Sequence, residues 1–171
     1  MNIIQKAHAF AKQAHQGQKR KDGKGYFTHV EAVAGIVNTD WFRLIPYEAQ
    51  VHWNKHKDHV IAAAFLHDSV EDCGVTKQQL LDEGFSVMTA EIVDAVSRKS
   101  GENYFDFIMR INNGDRSRED FCGAFRVGMV SVKLADLEHN MSDLNEGSLK
   151  DKYRLAHYIL SYFNPKIESY D

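Results

Sequence analysis

His67 and Asp68 stand side by side at the polar end of an otherwise apolar stretch, AAAFLHDSVED. On a helix, His67 shares a face with Glu71, and Asp68 with Asp72, each pair one turn apart. Four ionisable groups beside a buried stripe are costly without compensation, and a divalent cation is the usual remedy. Taken alone, the stretch reads equally as a helix end with solvated acids and a half-buried histidine. A second cluster, Asp136, His139 and Asn140, lies in VSVKLADLEHNMSDL. Asp136 is one turn from both of the others. Its company is Val130, Val132, Leu134 and Leu137, among which an aspartate needs a partner. The plain alternative is a capped or salt-bridged helix end. A third feature is GQKRKDGKGYFTHVEAVAGIV, where a basic, glycine-rich loop runs into His29 at the start of a helix. Arg20, Lys21 and their neighbours suit phosphate or nucleotide binding, since a guanidinium can also stack on a base. By itself this is a charged surface loop. Together the features offer a lone His, a His-Asp doublet and a distant Asp. That mixed nitrogen and oxygen set suits a hard or borderline cation with open positions, not a closed thiolate zinc site.

The elements that must carry these residues are helices. Two prolines and eleven glycines leave few breaks in 171 residues. Ile3, Ile4, Ala7, Phe10, Ala11 and Ala14 make an apolar stripe at steps of three and four. Asp58 to Asp72, with Val60, Ile61, Ala64, Phe65 and Leu66, predicts a central buried helix. Thr76 and Gln79 form a capping-box pair opening a short helix that Gly84 closes. Val87 to Lys99 and Tyr104 to Ile111 predict two more, stopped by Gly101 and by Asn112-Asn113-Gly114. Phe121 to Asn140 predicts one long helix or two broken at Gly123 or Gly128. Ser148 with Asp151 opens a last helix, with Leu149, Tyr153, Ala156, Ile159 and Phe163 facing inward before Asn164-Pro165. The expectation is one all-α domain over 1–171, with little or no β structure.

Composition narrows the function classes. Apolar residues make up 43% and charged residues 26%, the balance of a globular domain. A net charge of −3, from 21 basic and 24 acidic residues, argues against a general nucleic-acid binder. No run approaches the roughly 20 apolar residues that span a bilayer, so no membrane role is expected. The first residues lack the apolar core of a signal peptide. Two cysteines, Cys73 and Cys122, fit a reducing cytoplasm. Nothing in the pattern requires or excludes an oligomer.

The order of lone His, His-Asp doublet and later Asp resembles the HD-domain metal-dependent phosphohydrolases. AHQGQKRKDGKGYFTH, AAAFLHDSVED and VKLADLEHNM resemble the hydrolase-domain motifs of the RelA/SpoT homologues, and in size the chain is similar to the small alarmone hydrolases. The resemblance implies an HD-type bundle-like fold in which His29, His67, Asp68 and Asp136 hold one divalent ion, typically Mn²⁺. It implies that Glu71 and Asp72 are the acidic pair that positions and activates water. It further implies that Arg20 and Lys21 contact a guanine nucleotide, that Tyr26 lies beside that loop, and that Asn140 lines the nucleotide site. The reaction implied is removal of pyrophosphate from the 3′ position of guanosine tetra- or pentaphosphate (ppGpp or pppGpp, the alarmone of the stringent response).

The chain also departs from the family pattern. Val30 and Gly25 stand where prolines are common. Leu137 follows Asp136 where an arginine is usual, so a supporting ion pair is either missing or replaced. Residues 38–58 form a longer connection rich in aromatics, including Trp41, Phe42, Tyr47 and Trp53, whose simplest role is a local satellite core. Other HD chemistry, nucleotide monophosphatase or NADPH phosphatase action, is the first alternative. A nucleotide-binding module with weakened catalysis is the second.

Overall fold

The computed structural model describes residues 1–39, 50–114 and 122–162, and among these it contains helices and no strand. The helices are α1 (Ile3–Ala14), α2 (Phe27–Thr39), α3 (Gln50–Leu66), α4 (Ser69–Cys73), α5 (Lys77–Asp82), α6 (Val87–Val96), α7 (Tyr104–Asn113), α8 (Cys122–Ser142) and α9 (Ser148–Ser161). This is the all-α class expected.

α3 is the central element and packs against α1, α2, α6 and α8. Its Val60, Ile61, Ala62, Ala63, Ala64 and Leu66 are all buried. The alanines let neighbouring helices approach while still removing apolar surface from water, about 25 cal/mol per Å². α8 lies against α2, α3, α6 and α9, and brings Val127, Val130, Leu134 and Leu137 into the same core. α1 opens with a capping box, in which Asn2 accepts from Gln5 N–H and the Gln5 side chain accepts from Asn2 N–H. The expected box at Thr76 and Gln79 is present, and Gly84 follows α5 with a φ of +78°.

Several boundaries differ from expectation. α3 begins at Gln50, not Asp58, so residues 50–58 of the expected insertion belong to the central helix. Residues 38 and 39 of that insertion close α2, and 40–49 lie outside the described residues. α3 also ends at Leu66 instead of running on to Asp72, and α4 starts separately at Ser69. The cause is competition by side chains for the last carbonyls of α3. His67 Nδ1 takes Ala64 O at 2.8 Å, and Ser69 Oγ donates to Leu66 O. His67 and Asp68 therefore sit in a turn, not on the face of a continuous helix. α6 stops at Val96, three residues early. Gly128 breaks nothing: α8 runs through it. A Cβ there would stand 2.6 Å from Ile92 Cδ1, so the glycine makes room on α8 for Ile92 of α6. α9 is capped by Gly147, not by a Ser148 side chain, and Leu149 is exposed. Its inward stripe runs through Tyr153, Ala156 and Leu160; Phe163 lies outside the described residues.

Candidate metal centre

The loop before α2 is an ordered turn. Arg20 N–H donates to Lys24 O and Gly23 N–H to Arg20 O, both at 2.9 Å, and Lys19 and Gly25 form an isolated β-bridge. Gly23 has a φ of +84°, which a side chain would oppose. The turn ends at Tyr26, and α2 then points His29 inward, where it is buried. His67 and Asp68 come from the α3–α4 turn and Asp136 from the middle of α8. Three separate helical elements thus meet at one point.

His29, His67 and Asp136 are all buried, and their ligand atoms lie within 4.8 Å of one another. His29 Nε2 is 3.3 Å from Asp136 Oδ1 and 3.4 Å from Asp68 Oδ2. His67 Nε2 is 3.0 Å from Asp68 Oδ2 and 3.7 Å from Asp136 Oδ1. The four residues that the sequence singled out as ligands are therefore adjacent, with Asp68 at the more open edge.

Each of the four is held from behind. His67 donates from Nδ1 to Ala64 O. Asp68 accepts a hydrogen bond from Tyr26 Oη at 2.7 Å. Asp136 accepts from Lys133 Nζ at 2.7 Å on Oδ2 and from Asn140 Nδ2 at 2.6 Å on Oδ1. His29 Nδ1 lies 2.8 Å from His139 Nδ1. Such outer partners orient metal ligands and select their tautomers.

The donor set fits a cation on an observation of its own. With its proton on Nδ1, the neutral His67 ring turns an Nε2 lone pair toward two carboxylates. That buried nitrogen has no aligned hydrogen-bond partner. A lone pair facing anions requires either a second proton or a positive ion. Burial disfavours the charged ring, but the Asp68 and Asp136 carboxylates outweigh it and push the His67 pKa up to about 10. Burial also raises Asp68 and Asp136, yet His67 acting on the first, and Lys133 with the two histidines on the second, hold both below the usual carboxylate range. The pocket asks for positive charge.

The other expected residues divide. Asn140 bridges to Asp136, and Tyr26 binds Asp68 while stacking on His15 with centroids 5.0 Å apart. Both touch residues of the cluster directly. Arg20 is drawn onto α8, with Nη2 3.0 Å from Asp143 Oδ2 and Nη1 3.3 Å from His139 Nδ1. Lys21 is exposed. Burial first, then the Asp68 and Asp72 acids, hold the Tyr26 phenol strongly protonated. Glu71 binds elsewhere: Oε2 accepts from Arg98 N–H at 3.1 Å. The break after α3 removes the shared helical face that would have aligned Glu71 with His67. Sequence reasoning missed Lys133, one turn before Asp136 on α8. The signal was available, because a lysine at i−3 from a buried aspartate is a ready partner. Lys133 supplies an ion pair to Asp136, while Leu137 is core.

A helical domain with two buried histidines and an aspartate converging from three separate segments defines a His/Asp metal-centre class. The chain belongs to the HD domain family, which residues 7–165 match. The GTP pyrophosphokinase of Myxococcus xanthus is 30% identical over 170 residues, 96% of this chain and 20% of that protein. The guanosine-3′,5′-bis(diphosphate) 3′-pyrophosphohydrolase of Haemophilus influenzae is 33% identical over 91% of this chain and 20% of that protein. The chain thus spans about a fifth of the length of these curated relatives. A solved structure of a metazoan ortholog of SpoT that hydrolyzes ppGpp aligns with a TM-score of 0.65 at 19% identity. It covers 94% of this chain and 84% of that one, and bears on the fold.

Proposed function

We propose that this chain is one HD-type domain that removes pyrophosphate from the 3′ position of guanosine tetra- or pentaphosphate, leaving GDP or GTP, in the cytoplasm. The observation that carries the reading is the buried convergence of His29, His67 and Asp136, with Asp68 beside them, around a space that demands positive charge. The relative from Haemophilus influenzae named for this reaction supports the substrate.

His29, His67, Asp68 and Asp136 would hold one divalent ion, Mn²⁺ in our reading. Such an ion polarises a phosphoryl oxygen and makes water acidic enough to attack near neutral pH. The remaining work belongs to the chain's own residues. Glu71 and Asp72, on the first turn of α4, are the proposed acidic pair: one takes a proton from water and the other directs it. Lys21 is exposed and offsets the charge of a polyphosphate, which a chain of net charge −3 otherwise repels. Arg20 presents a planar face to the base, and Asn140 and Tyr26 border the same space.

The test is turnover by the full chain with Mn²⁺ on guanosine tetraphosphate, NADPH and nucleoside monophosphates, products resolved by chromatography. GDP and pyrophosphate from the first substrate are expected. Hydrolysis confined to NADPH or to monophosphates would assign the site to another HD phosphohydrolase activity. Metal binding without turnover on any substrate would make it a nucleotide-binding module.

A further inference from the structure

Arg20 touches no proposed ligand, yet it stands directly behind two of them. Its Nη1 lies 3.3 Å from His139 Nδ1, and that same nitrogen lies 2.8 Å from His29 Nδ1. Its Nη2 donates to Asn140 Oδ1 at 3.4 Å, and Asn140 Nδ2 donates in turn to Asp136 Oδ1 at 2.6 Å. Asp143 Oδ2, 3.0 Å from Nη2, holds the guanidinium in place, and the Arg20 side chain is only 14% exposed.

The chemistry of these groups fixes the direction of every bond. A guanidinium only donates. His139 Nδ1 must therefore be the acceptor, and His29 Nδ1 must carry the proton that it turns to His139, the two donors sharing that one lone pair. With Nδ1 turned to His139, Nε2 is the atom that faces Asp68 and Asp136 and is the nitrogen left to hold a metal. The same rule turns Asn140. Its oxygen faces Arg20, so its amide N–H₂ faces Asp136 and pins the carboxylate.

We propose that Arg20 is a positioning residue for the metal centre, setting the tautomer of His29 through His139 and the orientation of Asp136 through Asn140. The proposal rests on the metal-centre reading above and adds to the basic loop a role that base stacking does not contain. His139 is the required link.

The experiment measures Mn²⁺ affinity of the metal-free full chain by calorimetry, with no nucleotide present, for wild type, Arg20→Ala, Arg20→Lys, His139→Leu and His139→Asn. Loss of an outer partner typically weakens metal binding by about 10–100-fold, and Arg20→Ala and His139→Leu should do so. Arg20→Lys keeps a donor, and asparagine can place Oδ1 where Nδ1 stood, so both should stay within a few-fold of wild type. A role in base stacking alone predicts the opposite: unchanged metal affinity in Arg20→Ala. Long-range ¹⁵N NMR of the histidine rings, in the same metal-free proteins, should show His29 protonated on Nδ1 in wild type and a mixture of tautomers in Arg20→Ala. Wild-type metal affinity and an unchanged His29 tautomer in Arg20→Ala would overturn the relay while leaving the metal centre intact. Absence of metal binding by the wild type would remove both.

Discussion

Lys133 Nζ lies 2.7 Å from Asp136 Oδ2, one turn before it on α8, and both side chains are almost withdrawn from water. Burial favours neutral lysine, but the Asp136 carboxylate outweighs it and raises the lysine pKa above its ordinary value. The pair neutralises one half of the carboxylate and leaves Oδ1 for the cluster. Lys133→Met keeps the length of the side chain and removes the charge. It should destabilise the metal-free protein by about 3–5 kcal/mol, the scale for orphaning a buried charge. Urea unfolding with a chelator present measures this, and a loss below about 1 kcal/mol would count against the role.

Asp68→Ala and Asp136→Ala should each abolish bound metal and turnover, because each removes an oxygen donor from the cluster. Elemental analysis of the purified variants is the check, and full metal content in either would remove that residue from the ligand set. Metal should also stabilise the wild type. At 100 times its Kd a bound ion contributes about 2.7 kcal/mol, which a chelator would take away.

Glu71→Gln separates chemistry from structure. Gln can still accept from Arg98 N–H, the bond that Glu71 makes in the structure. Stability and metal content should therefore stay near wild type. Turnover should fall by about 10²-fold or more for a lost general base. Activity within a few-fold of wild type would transfer the proton-accepting role away from Glu71, with Asp72→Asn the variant to measure next.

Arg110 ties the end of α6 to α7. It donates to Ala95 O and Ser97 O and pairs with Glu102 at 2.7 Å. The Arg110 hydrogen bond, outweighing burial, holds the Glu102 pKa down to about 2, against an ordinary 4.5. A depressed carboxylate contributes stability at pH above about 4.5 and loses it as pH falls through about 2. Wild type should thus lose stability across that window more steeply than Glu102→Gln. Acid titration followed by circular dichroism compares the two, and equal slopes would refute the contribution.

Gly128→Val should destabilise by at least about 1–3 kcal/mol, the range for overpacking a filled core. The added Cβ would meet Ile92 and Val60, the side chains through which α6 and α3 approach α8. Thermal unfolding reads the effect. Ile92→Ala in the same chain should recover part of it by opening the space.

How the chain divides into helices was legible because apolar spacing at three and four residues is a local property. The stripes on α1, α3 and α8 follow from the order of residues alone. The ligand candidates were legible for a related reason: histidine and aspartate inside apolar stretches are anomalies that a sequence displays directly. It was the resemblance to the HD-domain hydrolases that assigned His29, His67, Asp68 and Asp136 the role of ligands. What joins them needed the tertiary structure. The turn at His67-Asp68 depends on side chains capturing the carbonyls of Ala64 and Leu66, a contest between hydrogen bonds that periodicity does not record. That turn decides that Glu71 meets Arg98 and does not share a helical face with His67. The glycine at 128 reads as a breaker in one dimension and as a contact point in three, because only packing reveals Ile92 against it. Arg20 and His139 are 119 positions apart and gain their meaning from a 3.3 Å approach. Residue type and spacing name the groups able to do chemistry; the partners that set proton positions and charges among them come from distant segments, and only the folded chain brings those together.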